Sequence, residues 1–251
     1  MQKVTVVLPT YNEAKNLPLM IDALLSLPVK DLHIMVVDDN SPDGTGTLAD
    51  ALAERHPDSI EVMHRQSKAG LGAAYIAGFK KAIRGGADYI IQMDCDFSHQ
   101  PKYIPDMIAA AETNDLVLAS RYIKGGSVDE SWSLFRKGLS WFANRIYVPT
   151  LLNMPIYDAT GGYRLWRAQT LIGLDLDRVW SRGYVFQVEM AYMTYQLGFK
   201  VTEIPIHFPD RQLGESKMSF KVQVEAATRV WQLVQRHHSL KPEMRSTVIP
   251  T

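Results

Sequence analysis

An α/β fold, one mostly parallel sheet with helices on both faces, is predicted by three observations. Short, almost wholly apolar runs alternate along the first half of the chain with segments of helical periodicity. The apolar runs lack the in–out alternation of a half-exposed strand, so both of their faces must be covered. Three of the runs end in clusters of acidic and polar residues, at the strand ends where ligands bind on such sheets.

The elements follow in order. Val4-Thr5-Val6-Val7-Leu8 is β-rich, and Pro9 is read as ending it. Leu17, Met20, Ile21, Leu24 and Leu25 recur at helical spacing. Ile34-Met35-Val36-Val37 is a second buried strand, stopped by Asp38-Asp39, and a helix follows over 45–55. A strand at 60–63, a helix over 72–84, a strand at 89–93, a helix over 102–111 and a strand at 116–119 complete the alternation. Beyond residue 120 the pattern changes. Gly125-Gly126 lies in a loop, 132–147 reads as an aromatic-rich helix, 199–208 as a strand and 220–236 as a last helix. The polar end, 237–251, with Pro242 and Pro250, reads as a flexible tail.

Composition bounds the function. The chain has 251 residues, 46% of them hydrophobic, enough for a sizeable core. Lys+Arg and Asp+Glu are equal at 27 each, which argues against nucleic acid as a partner. Cys95 is the one cysteine, so no intrachain disulfide can form, and a reducing compartment fits. Met1-Gln2-Lys3 leads straight into a strand with no secretory pattern. No apolar stretch approaches the ~20 residues of a membrane span. The nearest, 147–157, is broken by Pro149 and Pro155, so a soluble or peripheral protein is expected.

Asp94-Cys95-Asp96 ends an apolar strand with two carboxylates one residue apart. Hard oxygen ligands at a sheet's carboxyl edge suit Mg²⁺ or Mn²⁺ carrying a nucleotide's phosphates. Tyr11 can stack on a base, and Glu13 and Asp39 can accept hydrogen bonds from ring N–H groups or ribose hydroxyls. Each of these residues could alternatively serve only as a helix cap or turn residue; the set at adjacent strand ends favours the ligand. Lys68-Ala69-Gly70-Leu71-Gly72 opens a helix but lacks the Gly-Lys-Ser/Thr of a phosphate loop, and it follows the third strand instead of the first. It is read as a close-packed helix start beside the nucleotide. Arg121, after the fifth strand, can neutralise a diphosphate, unless it makes only a surface ion pair.

Val7-Leu8-Pro9-Thr10-Tyr11-Asn12-Glu13, Val37-Asp38-Asp39-Asn40-Ser41-Pro42-Asp43-Gly44 and Met93-Asp94-Cys95-Asp96 resemble glycosyltransferase family 2, the inverting GT-A type. Gly161-Gly162-Tyr163-Arg164, Gly183-Tyr184-Val185-Phe186-Gln187-Val188-Glu189-Met190 and Asp210-Arg211-Gln212-Leu213-Gly214-Glu215-Ser216-Lys217 narrow the resemblance to the branch that makes dolichyl- or polyprenyl-phosphate mannose. It covers residues 3 to 230. It implies a single Rossmann-like sheet in a catalytic domain over 1–236, with a nucleotide-binding half (1–120), an acceptor-binding half (121–236) and C-terminal amphipathic interface helices. It implies GDP-mannose as donor, at Pro9, Tyr11, Glu13, Val37, Asp39, Asp94, Cys95, Asp96, Arg121, Arg211 and Lys217. Asp94 and Asp96 would hold Mg²⁺ or Mn²⁺, with Asp96 the principal ligand, and Asp94, Asp96, Arg121, Arg211 and Lys217 would serve catalysis. The family usually carries Ala or Gly where this chain has Cys95, which is expected to pack as a small apolar residue.

Arg136, Ser140 and Asn144 are spaced to share one helical face, and Phe135, Leu139, Phe142 and Ile146 another. The resemblance places the phosphate of a dolichyl or polyprenyl phosphate at Arg136 and Ser140, with Arg211. Trp132, Trp141 and Tyr147 suit a membrane interface or a core. Gly214 lets the 210–217 loop close over both phosphates. His99 is expected in a supporting role, since an anionic phosphate acceptor needs no strong base. These features predict a peripheral enzyme on the cytosolic face of a membrane, held by its own amphipathic surfaces or by membrane-embedded partner subunits. A family 2 enzyme using UDP-glucose or another sugar nucleotide, and a non-catalytic sugar-nucleotide-binding subunit, are the alternatives.

Overall fold

In the computed structural model β1 (Val4–Thr10) runs through the expected stop at Pro9 and one residue beyond it. The register explains why. β1 pairs with the neighbouring strand β4 only as far as Val7 opposite Gln92, so the N–H that Pro9 lacks faces a position with no ladder partner. The structure describes residues 2–181, 183, 185–210 and 220–250, the side chains of 220–227 excepted.

The first half alternates as the periodicity predicts. After β1 come α1 (Leu17–Leu25), β2 (Leu32–Asp38), α2 (Thr45–Arg55), β3 (Ile60–His64), α3 (Leu71–Arg84) and β4 (Tyr89–Gln92). A 3₁₀ turn at Pro101–Tyr103 leads into α4 (Ile104–Ala111), and β5 (Leu116–Ser120) follows. The second half holds β6 (Ser127–Val128), α5 (Leu134–Phe142), a widened π turn (Ala143–Tyr147), α6 (Val148–Leu152), β7 (Arg164–Arg167), α7 (Ala168–Leu174), α8 (Val185–Gln196), β8 (Val201–Pro205), β9 (His207–Phe208) and α9 (Phe220–His237).

Seven strands form one sheet in the order β3-β2-β1-β4-β7-β5-β8, parallel except for β7, which lies antiparallel between β4 and β5. The expected strand over 199–208 is two strands. Ile206 breaks it, donating its N–H to Ser120 O while its carbonyl accepts Ser127 N, which carries β9 away to pair with β6.

Two apolar layers cover the sheet. Val6, Leu8, Ile34 and Val36 face α1, α2 and α4; Val7, Met35 and Val37 face α3 and, further along, α7, α8 and α9. Each fully buried large aliphatic stabilises the fold by roughly 1.5–3 kcal/mol. Gly78 lets α3 lie directly on β1, since a Cβ there would stand 2.3 Å from Val7 Cγ1.

The predicted helix over 132–147 starts at Leu134, where Ser133 Oγ accepts Arg136 N at 3.2 Å, and it continues to Leu152. Pro149 does not break it. The π turn just before Pro149 takes up the distortion that a proline ring imposes on the preceding carbonyl ladder.

Residues 238–249, expected as a flexible tail, are instead fastened to the body. Ser246 N donates to Gly173 O, Arg245 Nε to Leu197 O at 2.8 Å, and Arg178 Nη1 to Met244 O at 3.0 Å; the Arg245 guanidinium lies over Phe199. These bonds take up carbonyls at the C-terminal ends of helices, which otherwise lack partners. Among the described residues no helix is long and apolar enough to cross a membrane.

Candidate active site at the carboxyl edge of the sheet

Parallel pairing of β1 with β2 and β4 brings the ends of all three strands to one edge. Thr10 stands opposite Asp38, and its hydroxyl donates to Asp38 Oδ1 at 3.0 Å. Ser41 N and Oγ also donate to Asp38, which fixes the turn after β2. Asn12 N donates to Ser41 Oγ, Glu13 N to Thr45 Oγ1 and Ala14 N to Asp43 Oδ2, so the loop after β1 is sewn to the loop after β2. Asp38 and Asp43 are thus structural. Glu13 accepts from Asn16 Nδ2 at 2.8 Å.

Asp39 is 6% exposed and ion-paired to Arg65. Burial lifts its carboxyl above the ordinary range, and the charge and hydrogen bond of Arg65 offset this only in part. Lys68 Nζ lies 3.7 Å above the Tyr11 ring, so the helix-start loop does stand beside the expected base site. Its Gly72 is a close contact, where a Cβ would come within 2.9 Å of the Phe186 ring. Val37 is fully buried, and its side chain packs under α3 instead of at the open edge. Pro9, beside it in register, is half-buried.

Asp94 follows β4. Tyr75 OH donates to its Oδ1 at 2.7 Å, and its backbone N–H donates to His99 Nδ1 at 2.8 Å. That bond uses the Nδ1 lone pair, so the 4.0 Å approach of His99 to Asp94 Oδ2 is not an ion pair of a charged imidazole. Burial, then the charge of Asp94, pushes the Tyr75 hydroxyl well up, and it stays a donor. Asp96 is 5% exposed, and its Oδ1 accepts Ser98 N. Cys95 is buried between them. Burial, then Glu13, Asp96 and Asp94, holds its thiol protonated, which places Glu13 electrostatically beside the acidic pair.

His99 stacks on Tyr163, with 5.0 Å between ring centroids, and meets the edge of Phe208 at 5.8 Å. Phe208 also meets Trp132 at 5.9 Å and lies 5.1 Å below the Arg121 guanidinium. Arg136 lies 3.5 Å over the Trp132 ring and pairs with Asp210 at 3.3 Å. One run of contacts therefore joins Asp94, through His99, Phe208 and Trp132, to Arg136.

Arg121 does not point a bare guanidinium at this edge. Asp158, fully buried, accepts from Arg121 N and Nε at 2.8 Å each and from Nη2 at 2.6 Å. Burial by itself would lower the pKa of the guanidinium; the charge and hydrogen bonds of Asp158 outweigh that and raise it. Ser140 Oγ accepts Tyr122 OH at 2.6 Å. The α5 helix buries none of its residues: Leu134 and Phe135 are 87% and 71% exposed, and Trp141, Phe142 and, in the π turn, Ile146 are exposed as well. Arg211, Gly214 and Lys217 lie outside the described residues, so the expected loop closure has no structural description.

The residues that sequence reasoning passed over are Arg65, Tyr75, Asp158 and Phe208. Arg65 carried a usable signal, a cation directly after the strand that neighbours β2. The others did not, because their partners lie far off in sequence.

The family 2 glycosyl transferase model matches residues 5–174. An undecaprenyl-phosphate mannosyltransferase of Micrococcus luteus is 44% identical over 244 residues, 96% of this chain and 99% of that protein. A polyprenol monophosphomannose synthase of Mycolicibacterium smegmatis is 47% identical over 219 residues, 87% of this chain and 82% of that protein. Among solved structures, glucosyl-3-phosphoglycerate synthase from Mycobacterium tuberculosis, in complex with Mn²⁺, UDP and phosphoglyceric acid, superposes with a TM-score of 0.67 at 16% identity, over 94% of this chain and 78% of that one. At that identity the likeness is one of fold.

Proposed function

The chain belongs to glycosyltransferase family 2 and has its GT-A architecture, and from that premise we propose that it is an inverting mannosyltransferase. It moves mannose from GDP-mannose to a dolichyl or polyprenyl phosphate. One observation carries the reading: a chain 44% identical to an undecaprenyl-phosphate mannosyltransferase over nearly its whole length holds an acidic pair at the sheet edge, joined by contacts to a cation on an exposed apolar helix.

Tyr11, Glu13 and Asp39, with Pro9 and the backbone of Val37, receive the guanosine. Asp94 and Asp96 offer hard carboxylate oxygens, with the backbone at Cys95 facing the diphosphate. Among the described residues no group of three or more His, Cys, Asp or Glu could hold a metal ion by itself. That donor set fits Mg²⁺ or Mn²⁺ shared between one or two carboxylates and substrate phosphates. When bound, such a cation neutralises charge on the departing diphosphate. Arg121, oriented by Asp158, adds positive potential there, and Arg211 and Lys217 are assigned to the same phosphates.

Arg136 and Ser140, with Arg211, hold the lipid phosphate. Its oxygen attacks the anomeric carbon from the face opposite GDP; the new C–O bond forms as the bond to GDP breaks, giving a β-linked mannosyl phosphate. The phosphate is anionic at neutral pH, so none of the chain's histidines need act as base. The exposed face of α5 lies on the bilayer at the cytosolic side and brings the lipid phosphate to Arg136.

Incubating the full chain with labelled GDP-mannose, Mg²⁺ or Mn²⁺ and a short polyprenyl phosphate should carry label into the organic phase. GDP should inhibit this and UDP should not. Transfer from UDP-glucose in place of GDP-mannose would overturn the donor; nucleotide binding without transfer would overturn the reaction.

A further inference from the structure

Residues 158–161 form a tight turn gripped from several sides. Arg121, after β5, makes its three bonds to Asp158, and its Nη2 also donates to Thr160 Oγ1 at 3.1 Å. Arg164, on β7 and fully buried, donates from Nη2 to Ala159 O at 2.8 Å and from Nε to Gly161 O at 3.0 Å. Burial pulls the pKa of Arg164 down to about 9, with Asp158 acting against it, so the side chain stays charged at neutral pH. Glu203, on β8, accepts Tyr157 N at 2.8 Å, just before the turn.

The remaining grip comes from the helical segment that carries Ser140. Asn144 is fully buried in the π turn. Its Nδ2 donates to Thr160 Oγ1 at 2.8 Å and to Ser140 O at 3.0 Å, while its Oδ1 accepts Thr160 N at 3.1 Å. Asn144 and Thr160 therefore bond reciprocally, and the amide also holds the backbone of Ser140. Thr160 Oγ1 is the atom on which Arg121 and Asn144 converge.

A buried polar network of this density is costly to assemble when apolar packing would fill the same space. What it supplies is fixed relative position. We infer that Thr160, with Asn144 and Asp158, is a positioning device that sets the spacing between Arg121, on the donor side, and Ser140, on the acceptor side. The inference rests on the proposed function, which gives those two groups their substrates. Reactants held in line gain much of their rate from such placement, and a displacement of about 1 Å costs on the order of a hundredfold.

The test compares Thr160→Val, which keeps shape and removes the shared hydroxyl, with Thr160→Ser, which keeps it. Transfer of labelled mannose to polyprenyl phosphate, GDP binding by calorimetry and the melting temperature are measured for both and for the wild type. Thr160→Val should lower kcat about ten- to a hundredfold while KM for GDP-mannose and GDP affinity stay within about twofold. Thr160→Ser should recover most of the rate. A Thr160→Val enzyme as fast as wild type overturns the inference. So does a joint fall in kcat, GDP affinity and melting temperature that Thr160→Ser does not reverse, since that is a merely structural role. Wild type that binds GDP but transfers nothing overturns the functional reading, and this inference with it.

Discussion

Proposed donor residues of the first half stand at the ends of strands buried on both faces, whereas Arg136 and Ser140 stand on a helix that buries none of its residues. In the first region, position comes from the sheet. Neighbouring strand ends are sewn together over residues 10–45 by hydrogen bonds from backbone N–H groups and hydroxyls to short polar side chains, and the acidic pair is the continuation of β4. In the second region, position comes from side chains: the Asn144–Thr160 pair, the Asn144–Ser140 bond and the Tyr122–Ser140 bond. The difference teaches that a damaged donor side should lose chemistry on an intact fold. The acceptor side should lose placement, lipid use or membrane contact in smaller steps.

The sharpest way to break this contrast is Asp96→Ala. Loss of a hard ligand at the diphosphate should cut transfer on the order of a thousandfold, read as label in the organic phase, with the melting temperature little changed. Full activity with Mg²⁺ or Mn²⁺ would remove the metal role from this edge.

Glu189 comes next, because it is the buried carboxylate that ties α8 to the end of α9. It is fully buried and accepts His237 Nε2 at 2.7 Å, Ser181 N at 2.7 Å and Trp180 N at 3.1 Å. Burial would raise its pKa; the hydrogen bonds from His237, Ser181 and Trp180 outweigh that and hold it below the usual glutamate range. A depressed carboxylate adds stability above its unfolded pKa, and that stability is lost as pH falls through the folded value. Melting temperature should therefore drop in acid. Glu189→Gln should flatten that acid limb and cost about 1–3 kcal/mol at neutral pH by urea unfolding. An unchanged acid limb would show that other carboxylates govern it.

Arg136→Ala should raise KM for polyprenyl phosphate about tenfold and leave KM for GDP-mannose alone, a loss of binding made in the ground state. Equal effects on both substrates would merge the two regions that the structure separates. The smallest effect on the fold is expected at Phe135. With the side chain 71% exposed, Phe135→Ser should change unfolding free energy by no more than about 0.5 kcal/mol. It should still weaken sedimentation with anionic lipid vesicles severalfold.

The same division governs what the chain disclosed before its fold was known. Leu17, Met20, Ile21 and Leu24 outline α1 because only one face of that helix is buried, and 45–55 is legible as α2 for the same reason. By contrast α8 shows no stripe, since every residue from Val185 to Thr194 is buried. β7 is four residues long with an arginine at each end, and nothing in Arg-Leu-Trp-Arg signals a strand until β4 and β5 flank it. The acidic pair and the polar strand ends were readable because each is a local cluster. The partnership of Arg121 with Asp158 spans 37 residues and was not, so the arginine looked freer than it is. The π turn was hidden too, because Pro149 reads as a helix breaker when the backbone in fact bends to admit it.

Trp132 is buried, with the Arg136 guanidinium over one part of its ring system and the edge of Phe208 against another. An indole in that setting is a natural optical probe. If a lipid headgroup draws the guanidinium aside, its emission should change, and titrating acceptor into enzyme would then yield occupancy directly from fluorescence, without isotopes or phase separation.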